Sequence, residues 1–455
     1  MAINKYNMDM CKGPIGIKMI RFAIPLALTY ILQLTFHAAD LMIIGRFGSA
    51  ESMAAIGTTM DLNTLMLNLL TGISMGSNVV AAQYYGAKDS RNVNRTVHTS
   101  MAFSLLGGTI VALFGFIFCR DFLEMMDVPH AILPKSVLYL RIIFLGMPCA
   151  MLYNYGCAFL RAIGDTKRPL LFLIIAGMTN VLLNMLFVIV FKWDIAGVAI
   201  ATILSQILSA YLIINVLTKM RGACRLVFRF VRLDLPVLKK MLYIGVPAGL
   251  QGMMFSFANV IIQKAINSFG PQAMAGMTAT GCLEWILYSG IYACHQTSTA
   301  FVGQNYGGKK PLRIIRSIWW GLGIVTVISL TLGLCMFMTG ENLIGLFRND
   351  PEVIEWGMKR IRIVFVLYFL CGWMDVISGA LRGLGYSILP TIVILLGVCV
   401  FRILWIAFIF PEYRTITVLI MAYPITWLTA VTAEGVILYF VCKKLLSRGK
   451  LISLH

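Results

Sequence analysis

The chain has 455 residues, of which 59% are hydrophobic and 13% are charged, and its formal net charge is +19. A mean hydropathy of +0.84 excludes an ordinary water-soluble domain, in which about 25% of residues are charged, and predicts a protein that lies in a bilayer. The excess of Lys and Arg does not indicate nucleic-acid binding, because these residues occupy short gaps between apolar runs and form no stripe interleaved with aromatics.

Twelve apolar runs follow one another along the chain. Each is long enough to cross about 30 Å of hydrocarbon as a helix that rises about 1.5 Å per residue. They lie near residues 15–44, 54–82, 96–119, 137–160, 169–191, 195–217, 237–266, 276–302, 314–338, 356–381, 388–410 and 415–442. The sequence therefore predicts an all-α membrane protein with twelve transmembrane helices. Its 11 cysteines are scattered singly, so neither a metal site nor a disulfide framework is expected.

The positions of Lys and Arg predict the orientation. Most of the 38 fall in the segments that share one side of the membrane with the N-terminus, as cytoplasmic segments do. With an even number of helices, both termini then lie in the cytoplasm of a multi-pass plasma-membrane protein. Residues 218–240 form the longest and most basic of these segments. We therefore expect a linker, 218–236, between an N-terminal lobe, 1–217, and a C-terminal lobe, 237–455.

The two halves of the chain share landmarks in the same order. Ile24-Pro25 recurs as Val246-Pro247 at an offset of 222 residues. At an offset of 221, Gln83-Tyr-Tyr-Gly-Ala-Lys88 recurs as Gln304-Asn-Tyr-Gly-Gly-Lys309, and Leu160-Arg-Ala-Ile-Gly164 as Leu381-Arg-Gly-Leu-Gly385. Because six helices per half is an even number, the halves keep one orientation and form a parallel 6+6 repeat. Such repeats are typical of transporters.

The first run carries a carboxylate, Asp40, near the end opposite Pro25. An ionisable group inside a membrane helix is costly and is by default a functional candidate. Asn180 and Asn184 share a face of the fifth run, and with Asp61 of the second they lie at outer depths similar to that of Asp40. We expect a wet pocket with ion coupling at Asp40. The alternatives are that the asparagines only bond between helices and that Asp61 is a solvated helix end.

The paired Gln-x-x-Gly-x-Lys and Leu-Arg-x-x-Gly motifs on this layout resemble the multidrug and toxic compound extrusion (MATE) family, over nearly the whole chain. The resemblance implies a V-shaped fold of two six-helix bundles. It also implies a secondary active exporter that moves amphipathic, mostly cationic compounds out of the cytoplasm in exchange for H⁺ or Na⁺ by alternating access. Asp40, Asn180 and Asn184 resemble the coupling residues of the DNA-damage-inducible (DinF-like) branch. Some of its members have a carboxylate where Asn184 stands, so a two-carboxylate sodium cage is disfavoured here.

The same resemblance suggests further site residues, for which ordinary interhelical packing is the alternative. Pro25 is a hinge candidate, since its missing backbone N–H weakens the first helix. The roles of His37, His295 and Asp375 stay open. The predicted substrate-binding residues are Tyr139, Asn154 and Thr202, which the resemblance suggests, together with Asp61 and Gln33.

In the second half, Arg402 and Glu284 are expected at a similar depth of about 12 Å from the outer end of their helices. We predict that they pair and form a polar centre in the C-terminal lobe, because an unpaired Arg at that depth costs at least about 2.5 kcal/mol. The alternative is that Arg402 snorkels to the outer interface.

Three classes of function are compatible with a membrane protein of this kind. The leading hypothesis is the exporter, acting as a monomer in the lipid bilayer on small amphipathic cations, with no cofactor beyond the coupling ion. The alternative is a flippase of lipid-linked precursors, which would need a cationic cavity and has only Arg402 as a candidate. A membrane-embedded enzyme is not expected, because no nucleophile, metal set or pair of acids shares one depth.

Overall fold

The computed structural model describes residues 8–126 and 128–452, apart from the side chains of residues 50, 61 and 448–452. The described chain is helical and contains no strand, as the sequence predicts. Short 3₁₀ turns at Gly222–Cys224 and Phe228–Phe230 lie in the segment between the two repeats. The helices of the first repeat are α1 (Ile15–Phe47), α2 (Ala50–Gly86), α3 (Ser90–Met125), α4 (Leu133–Leu145), α5 (Met147–Ala162), α6 (Lys167–Asn184) and α7 (Asp194–Lys219).

The second repeat contains nine helical segments, because two of its spans are interrupted by π-helical turns. They are α8 (Leu235–Asn267), α9 (Pro271–Gly307), α10 (Pro311–Gly345), α11 (Pro351–Arg360), α12 (Tyr368–Gly383), α13 (Ile388–Ile394), α14 (Phe401–Leu404), α15 (Phe410–Tyr413) and α16 (Ile416–Ile452). π-Helical turns continue α6 at Met185–Val190, α11 at Ile361–Phe365, α13 at Leu395–Val400 and α14 at Trp405–Ile409.

Nine helical spans of the described chain are long and apolar enough to cross a membrane, and there are up to eleven if two bent pairs each count as one span. The bent pairs are α4 with α5, at 48°, and the segment Pro351–Phe365 with α12, at 47°. They correspond to the fourth and tenth predicted runs. The eighth predicted run lies on α9, which has 37 residues but is not among these spans. Many of the buried residues of α9 are polar, which lowers its hydropathy.

The helices group into two compact units, one holding Leu28–Gly245 and the other holding Asp9–Ala27 and the residues from Val246 on. Each long first helix of a repeat changes unit close to its internal proline, Pro25 in α1 and Pro247 in α8. The units therefore differ from the predicted lobes in two segments. The lobe boundaries, which follow the sequence repeat, stay a prediction.

The N-terminal segment 9–27 belongs to the second unit through specific contacts. The Met10 backbone N–H donates to Gln304 Oε1 at 3.2 Å, and its carbonyl accepts from Arg313 Nε at 3.0 Å. The Phe22 and Phe301 rings meet edge to face at 5.9 Å between centroids. Both rings are fully buried, so this contact removes two large apolar surfaces from solvent.

In the first unit, glycines bring α2 and the start of α8 into contact. A Cβ at Gly76 would overlap the Met241 carbonyl, and a Cβ at Gly245 would overlap the Ile73 carbonyl. Small residues permit such close backbone approach between membrane helices.

The two repeated motifs end helices. Lys88 and Lys309, the last residues of the Gln-x-x-Gly-x-Lys motifs, both have left-handed backbones, with φ of 58° and 53°. Gly164 and Gly385, the last residues of the Leu-Arg-x-x-Gly motifs, have φ of 93° and 94°, which favours glycine. After the first motif, Asp89 caps α3, and the hydrogen bond from the backbone N–H of Asn92 is the main cause that lowers the pKa of Asp89 below its ordinary value.

Candidate functional site

A close contact between α1 and α6 in the first unit positions the predicted coupling residues. A Cβ at Gly177 would overlap the Phe36 ring, so the absence of a side chain there allows the two helices to approach. Asp40 follows Phe36 by one helical turn, and Asn180 and Asn184 follow Gly177 by about one and two turns. The contact therefore brings the carboxylate of α1 to the amides of α6.

These side chains form a continuous chain of hydrogen bonds. Asn184 Nδ2 donates to Asp40 Oδ1 at 2.5 Å and to Asn180 Oδ1 at 3.3 Å. Asn180 Nδ2 donates in turn to Thr202 Oγ1 of α7 at 3.5 Å, and Thr202 Oγ1 donates to the Val198 carbonyl at 2.9 Å. The chain contains three neutral groups and one carboxylate. Three of its members were predicted for ion coupling and one, Thr202, for substrate binding.

One buried polar atom in this hydrogen-bonded chain has no hydrogen-bond partner among the described residues. Asn184 is fully buried, and its Oδ1 has no hydrogen-bond partner among the described residues, whereas Asp40 is half-buried. An ionised Asp40 accepts the amide N–H of Asn184. If Asp40 were protonated, its O–H could donate to Asn184 Oδ1 after rotation of the amide. The arrangement can therefore satisfy both protonation states of the carboxylate.

The other predicted residues of the first unit differ in burial and in their partners, and none of those whose side chains are described belongs to this hydrogen-bonded chain. Tyr139 on α4 is buried and interacts electrostatically with Asp40. Asn154 on α5 donates to the Ala150 carbonyl of its own helix at 2.9 Å and so does not join the chain. Gln33 is half-buried on α1, and the side chain of His37 is exposed there. The prediction for Asp61 lies outside the described side chains.

Pro25 lies inside α1, which continues as one helix from Ile15 to Phe47. The division between the two compact units follows two residues later, after Ala27. The hinge role of Pro25 stays a prediction.

A polar cluster that the sequence analysis missed lies where α1 ends and α2 begins. Asp194, the first residue of α7, accepts from the Ser49 backbone N–H at 3.1 Å and from the hydroxyls of Ser49 and Ser52. Lys135 of α4 pairs with Asp194 at 3.3 Å and with Glu51 at 3.0 Å. The signal in the sequence was the Ser49-x-x-Ser52 spacing, which is typical of a helix N-terminus.

A cavity of about 330 Å³ lies beside this cluster. Asp40, Asn180 and Asn184 are not among its lining residues, so it is separate from the hydrogen-bonded chain. It is lined by Phe47, Gly48, Ser49, Val188, Ile189, Lys192 and Asp194.

The predicted pair of the second unit is wrong. Glu284 forms an ion pair with Arg360 and also accepts from the Tyr368 hydroxyl at 3.1 Å. Arg402 donates from Nε to Thr426 Oγ1 at 3.3 Å, and its guanidinium lies 4.3 Å from the centroid of the Tyr423 ring.

Arg402 does not snorkel either, because only 2% of the residue is exposed. The sequence does not identify Arg360 as the partner of Glu284, because the depth of Arg360 depends on the π-helical turn that follows it and on the 47° bend after that turn.

Comparison with known proteins gives consistent matches. The family model described as MatE matches residues 25–186 and 247–408, one stretch in each repeat. The probable multidrug resistance protein YoeA of Bacillus subtilis (strain 168) is 26% identical over 405 residues, covering 88% of this chain and 87% of that protein. The FAD transporter of Shewanella oneidensis is 24% identical over 444 residues, covering 96% of each chain.

Among solved structures, an outward-facing multidrug resistance MATE family transporter of the MOP superfamily superposes with a TM-score of 0.91. It is 19% identical and covers 98% of this chain and 100% of its own. The crystal structure of a MATE protein in the bent conformation gives a TM-score of 0.90 at 19% identity, covering 97% of this chain and 98% of its own. The two-repeat, all-helical fold predicted from the sequence is thereby confirmed.

Proposed function

Because the chain belongs to the MatE family of membrane transporters, we propose that it exports amphipathic, mostly cationic compounds in exchange for protons. Family membership and the multidrug-resistance relatives make it a multidrug efflux transporter of small molecules and not an enzyme. Members of this family need no cofactor. The finer statements below concern the coupling ion, the substrate and the orientation.

One observation carries the proposal: a single carboxylate, Asp40, ends a hydrogen-bonded chain of neutral amide and hydroxyl groups within membrane-spanning helices, and the two amides of this chain are buried. A charge there is costly unless it is compensated. A proton or a cationic substrate can each neutralise Asp40, so the two compete for it. Binding of a proton then favours release of the substrate, and binding of the substrate favours release of the proton.

The residues around Asp40 favour H⁺ over Na⁺ as the coupling ion. Asn184 directs its N–H, and not its carbonyl oxygen, at the carboxylate. A sodium ion needs several oxygen ligands, and an N–H group beside the carboxylate repels it. The free Asn184 Oδ1 instead offers an acceptor for a protonated Asp40.

Substrate contacts are proposed for Tyr139, Thr202, Asn154, Gln33 and Asp61. Tyr139 and Thr202 have the strongest support, because Tyr139 interacts electrostatically with Asp40 and Thr202 belongs to the hydrogen-bonded chain of Asp40. Protonation of Asp40 would alter the α1–α6 contact, and Pro25 lacks the backbone N–H that would otherwise stiffen α1. We propose that α1 bends there during alternating access.

The flippase alternative has weaker support. It needs a cationic cavity, whereas Arg402 packs against Tyr423 and Thr426. One relative is named an FAD transporter, so an anionic dinucleotide belongs among the compounds tested.

A vesicle assay tests the proposal. Purified protein is reconstituted, and uptake of a fluorescent lipophilic cation is followed under an imposed pH gradient, a Na⁺ gradient or neither. We expect transport under the pH gradient alone, with FAD not transported. Transport driven only by Na⁺ would contradict the choice of ion, and transport of FAD without the cation would contradict the substrate class.

We further propose that the protein acts as a monomer in the plasma membrane, with both termini in the cytoplasm. The basic segment between the repeats supports this orientation through the positive-inside rule. A cysteine introduced at exposed Arg229 should be labelled by a membrane-impermeant reagent only after the cells are opened.

A further inference from the structure

The second unit contains a buried polar cluster that the proposed function does not use. Its charged members are Asp375 and Arg382 on α12 and Glu434 on α16, which are 6%, 3% and 0% exposed. Two neutral members are His295 on α9 and Gln251 on α8, which are also buried. Four helices thus direct polar side chains into one apolar core.

Arg382 connects these helices. Its Nη2 donates to Gln251 Oε1 at 2.6 Å, and its Nη1 lies 3.5 Å from His295 Nε2. His295 Nδ1 lies 2.7 Å from the Asp375 carbonyl oxygen, which can only accept. His295 therefore carries its proton on Nδ1 and presents the Nε2 lone pair to Arg382, so the imidazole is neutral.

The carboxylates are less well satisfied. Neither oxygen of Glu434 has a hydrogen-bond partner among the described residues, and the same holds for Asp375 Oδ2. Tyr288 interacts electrostatically with Asp375. Both carboxylates interact electrostatically with Arg382. A buried charge without a partner is strongly disfavoured, so Glu434 is the group that most needs a bound ligand.

The count of charged groups in the cluster also indicates that one carboxylate binds a ligand. One guanidinium can balance one of the two carboxylates. The other titratable side chains around the cluster in the described part of the chain are His295, Tyr288 and Tyr292 of α9 and Cys371 of α12, and none supplies a positive charge. A metal cation would be repelled by Arg382 in the middle of the cluster. A proton on Glu434 removes the excess charge without adding a cation beside Arg382.

The first repeat lacks this pair. At the 221-residue offset that aligns the Leu-Arg-x-x-Gly motifs, Asn154 stands where Asp375 does and Ile213 stands where Glu434 does, whereas Arg161 matches Arg382. The repeat therefore folds without the two carboxylates. Two buried acids that the fold does not require are better explained by a role in binding.

We propose that Glu434, with Asp375 and Arg382, forms a proton-binding site in the second unit that holds one exchangeable proton and is separate from Asp40. Its contribution to coupling rests on the proposed function, but its proton binding does not. When the proton leaves, the cluster has one uncompensated negative charge, and when it returns the charges balance.

Infrared difference spectroscopy on the purified protein tests the site, with H⁺ as the probe. A pH change should produce a carboxylic-acid band that the Glu434→Gln variant lacks and the Asp40→Asn variant retains. Glu124→Gln, which changes an exposed glutamate paired with Arg120, is the matched control and should leave the band unchanged. A band that is equally strong in Glu434→Gln, or no titrating band in the wild type, would overturn the proposal.

If the Glu434→Gln variant fails to fold, a second measurement still tests the site. In the wild-type protein labelled with ¹³C-glutamate, the same band should shift, and an unshifted band would also overturn the site. Glu434→Ile, which places the residue of the first repeat at this position, is a second variant to test. In vesicles, protons moved per exported cation should fall by about one in these variants. If wild-type vesicles show no gradient-driven export while the band titrates, the proposed function fails and the proton site stands.

Discussion

At the scale of single residues, the proposed coupling depends on which polar groups have hydrogen-bond partners and which do not. Asp40 belongs to a chain that ends at a backbone carbonyl through Asn184, Asn180 and Thr202. A single proton can change that chain, because the rest of it is neutral. The residues that matter are therefore defined by their partners and not by their chemical type alone.

Replacing Asp40 with Asn should abolish export driven by a pH gradient, because the amide cannot exchange a proton. Transport should fall to the level of empty vesicles, and the protein should still elute as a folded species from size-exclusion chromatography. Asp121→Asn, at an exposed position near the end of α3, is the matched control and should transport normally. Full export by the Asp40 variant would rule out this carboxylate as the coupling group.

Replacing Glu284 with Gln should destabilise the second unit, because it leaves the partly buried Arg360 charge without its ionised partner. Breaking a fully buried ion pair costs about 3 kcal/mol or more, so breaking this partly buried pair should cost less, and removing both partners recovers part of the loss. The free energy of unfolding should therefore be lower in Glu284→Gln than in a Glu284→Leu, Arg360→Met double variant. If Arg402→Met restored the free energy of unfolding of the Glu284→Gln variant and Arg360→Met did not, the pair predicted from the sequence would be supported.

At the scale of helices, glycines decide which segments approach. The absence of a side chain at Gly177 leaves room for the Phe36 ring between α1 and α6. In the same way, Gly76 and Gly245 allow the backbones of α2 and α8 to come into contact. These contacts set the register along the helices. A displaced register would move Asp40 relative to Asn184 without changing either residue.

Replacing Gly177 with Ala should lower gradient-driven export several-fold, because the new methyl group overlaps the Phe36 ring and separates α1 from α6. Helix propensity alone would favour the substitution by about 1 kcal/mol, so loss of activity cannot come from weakened helix formation. A second substitution, Phe36→Leu, should restore export in vesicles. Gly57→Ala is the control, since a Cβ there meets nothing within 4 Å. Equal activity of the two alanine variants would contradict this account.

At the scale of the whole molecule, the compact units do not follow the halves of the sequence. Residues 9–27 belong with the second unit and residues 235–245 with the first. Each half of the chain thus holds a segment that completes the other unit. The segment between the repeats includes Gly222, which has φ of 69° and open space around it.

A chain cut after Gly222 should therefore fold only when both pieces are present. Fragment 1–222 lacks Met241 and Gly245, which pack on α2, and fragment 223–455 lacks Met10 and Phe22. We expect each fragment expressed alone to be degraded and the co-expressed pair to assemble, measured by a fluorescent tag on each piece. Stable accumulation of either fragment alone would contradict the assignment of the two segments.

The sequence by itself determined the membrane class, the parallel repeat and the helical content. Hydropathy and helix length are local properties of the sequence, and the thickness and apolarity of a bilayer set the values that a spanning helix must have. It also indicated Asp40, Asn180, Asn184 and Thr202, three of them from depth and helix face and the fourth by resemblance. Depth along a helix is set by residue number, so residues on different helices could be compared without a structure.

Only the tertiary structure decided which groups at similar depth face each other. Glu284 pairs with Arg360 and not with Arg402. The rotation of a helix, a π-helical turn and a bend determine the direction of a side chain but leave its depth in the membrane almost unchanged. The unpartnered oxygens of Glu434 and the exchange of segments near Pro25 and Pro247 likewise depend on packing between helices far apart in sequence. Local pattern specifies where a side chain lies along its helix, and packing specifies its partner.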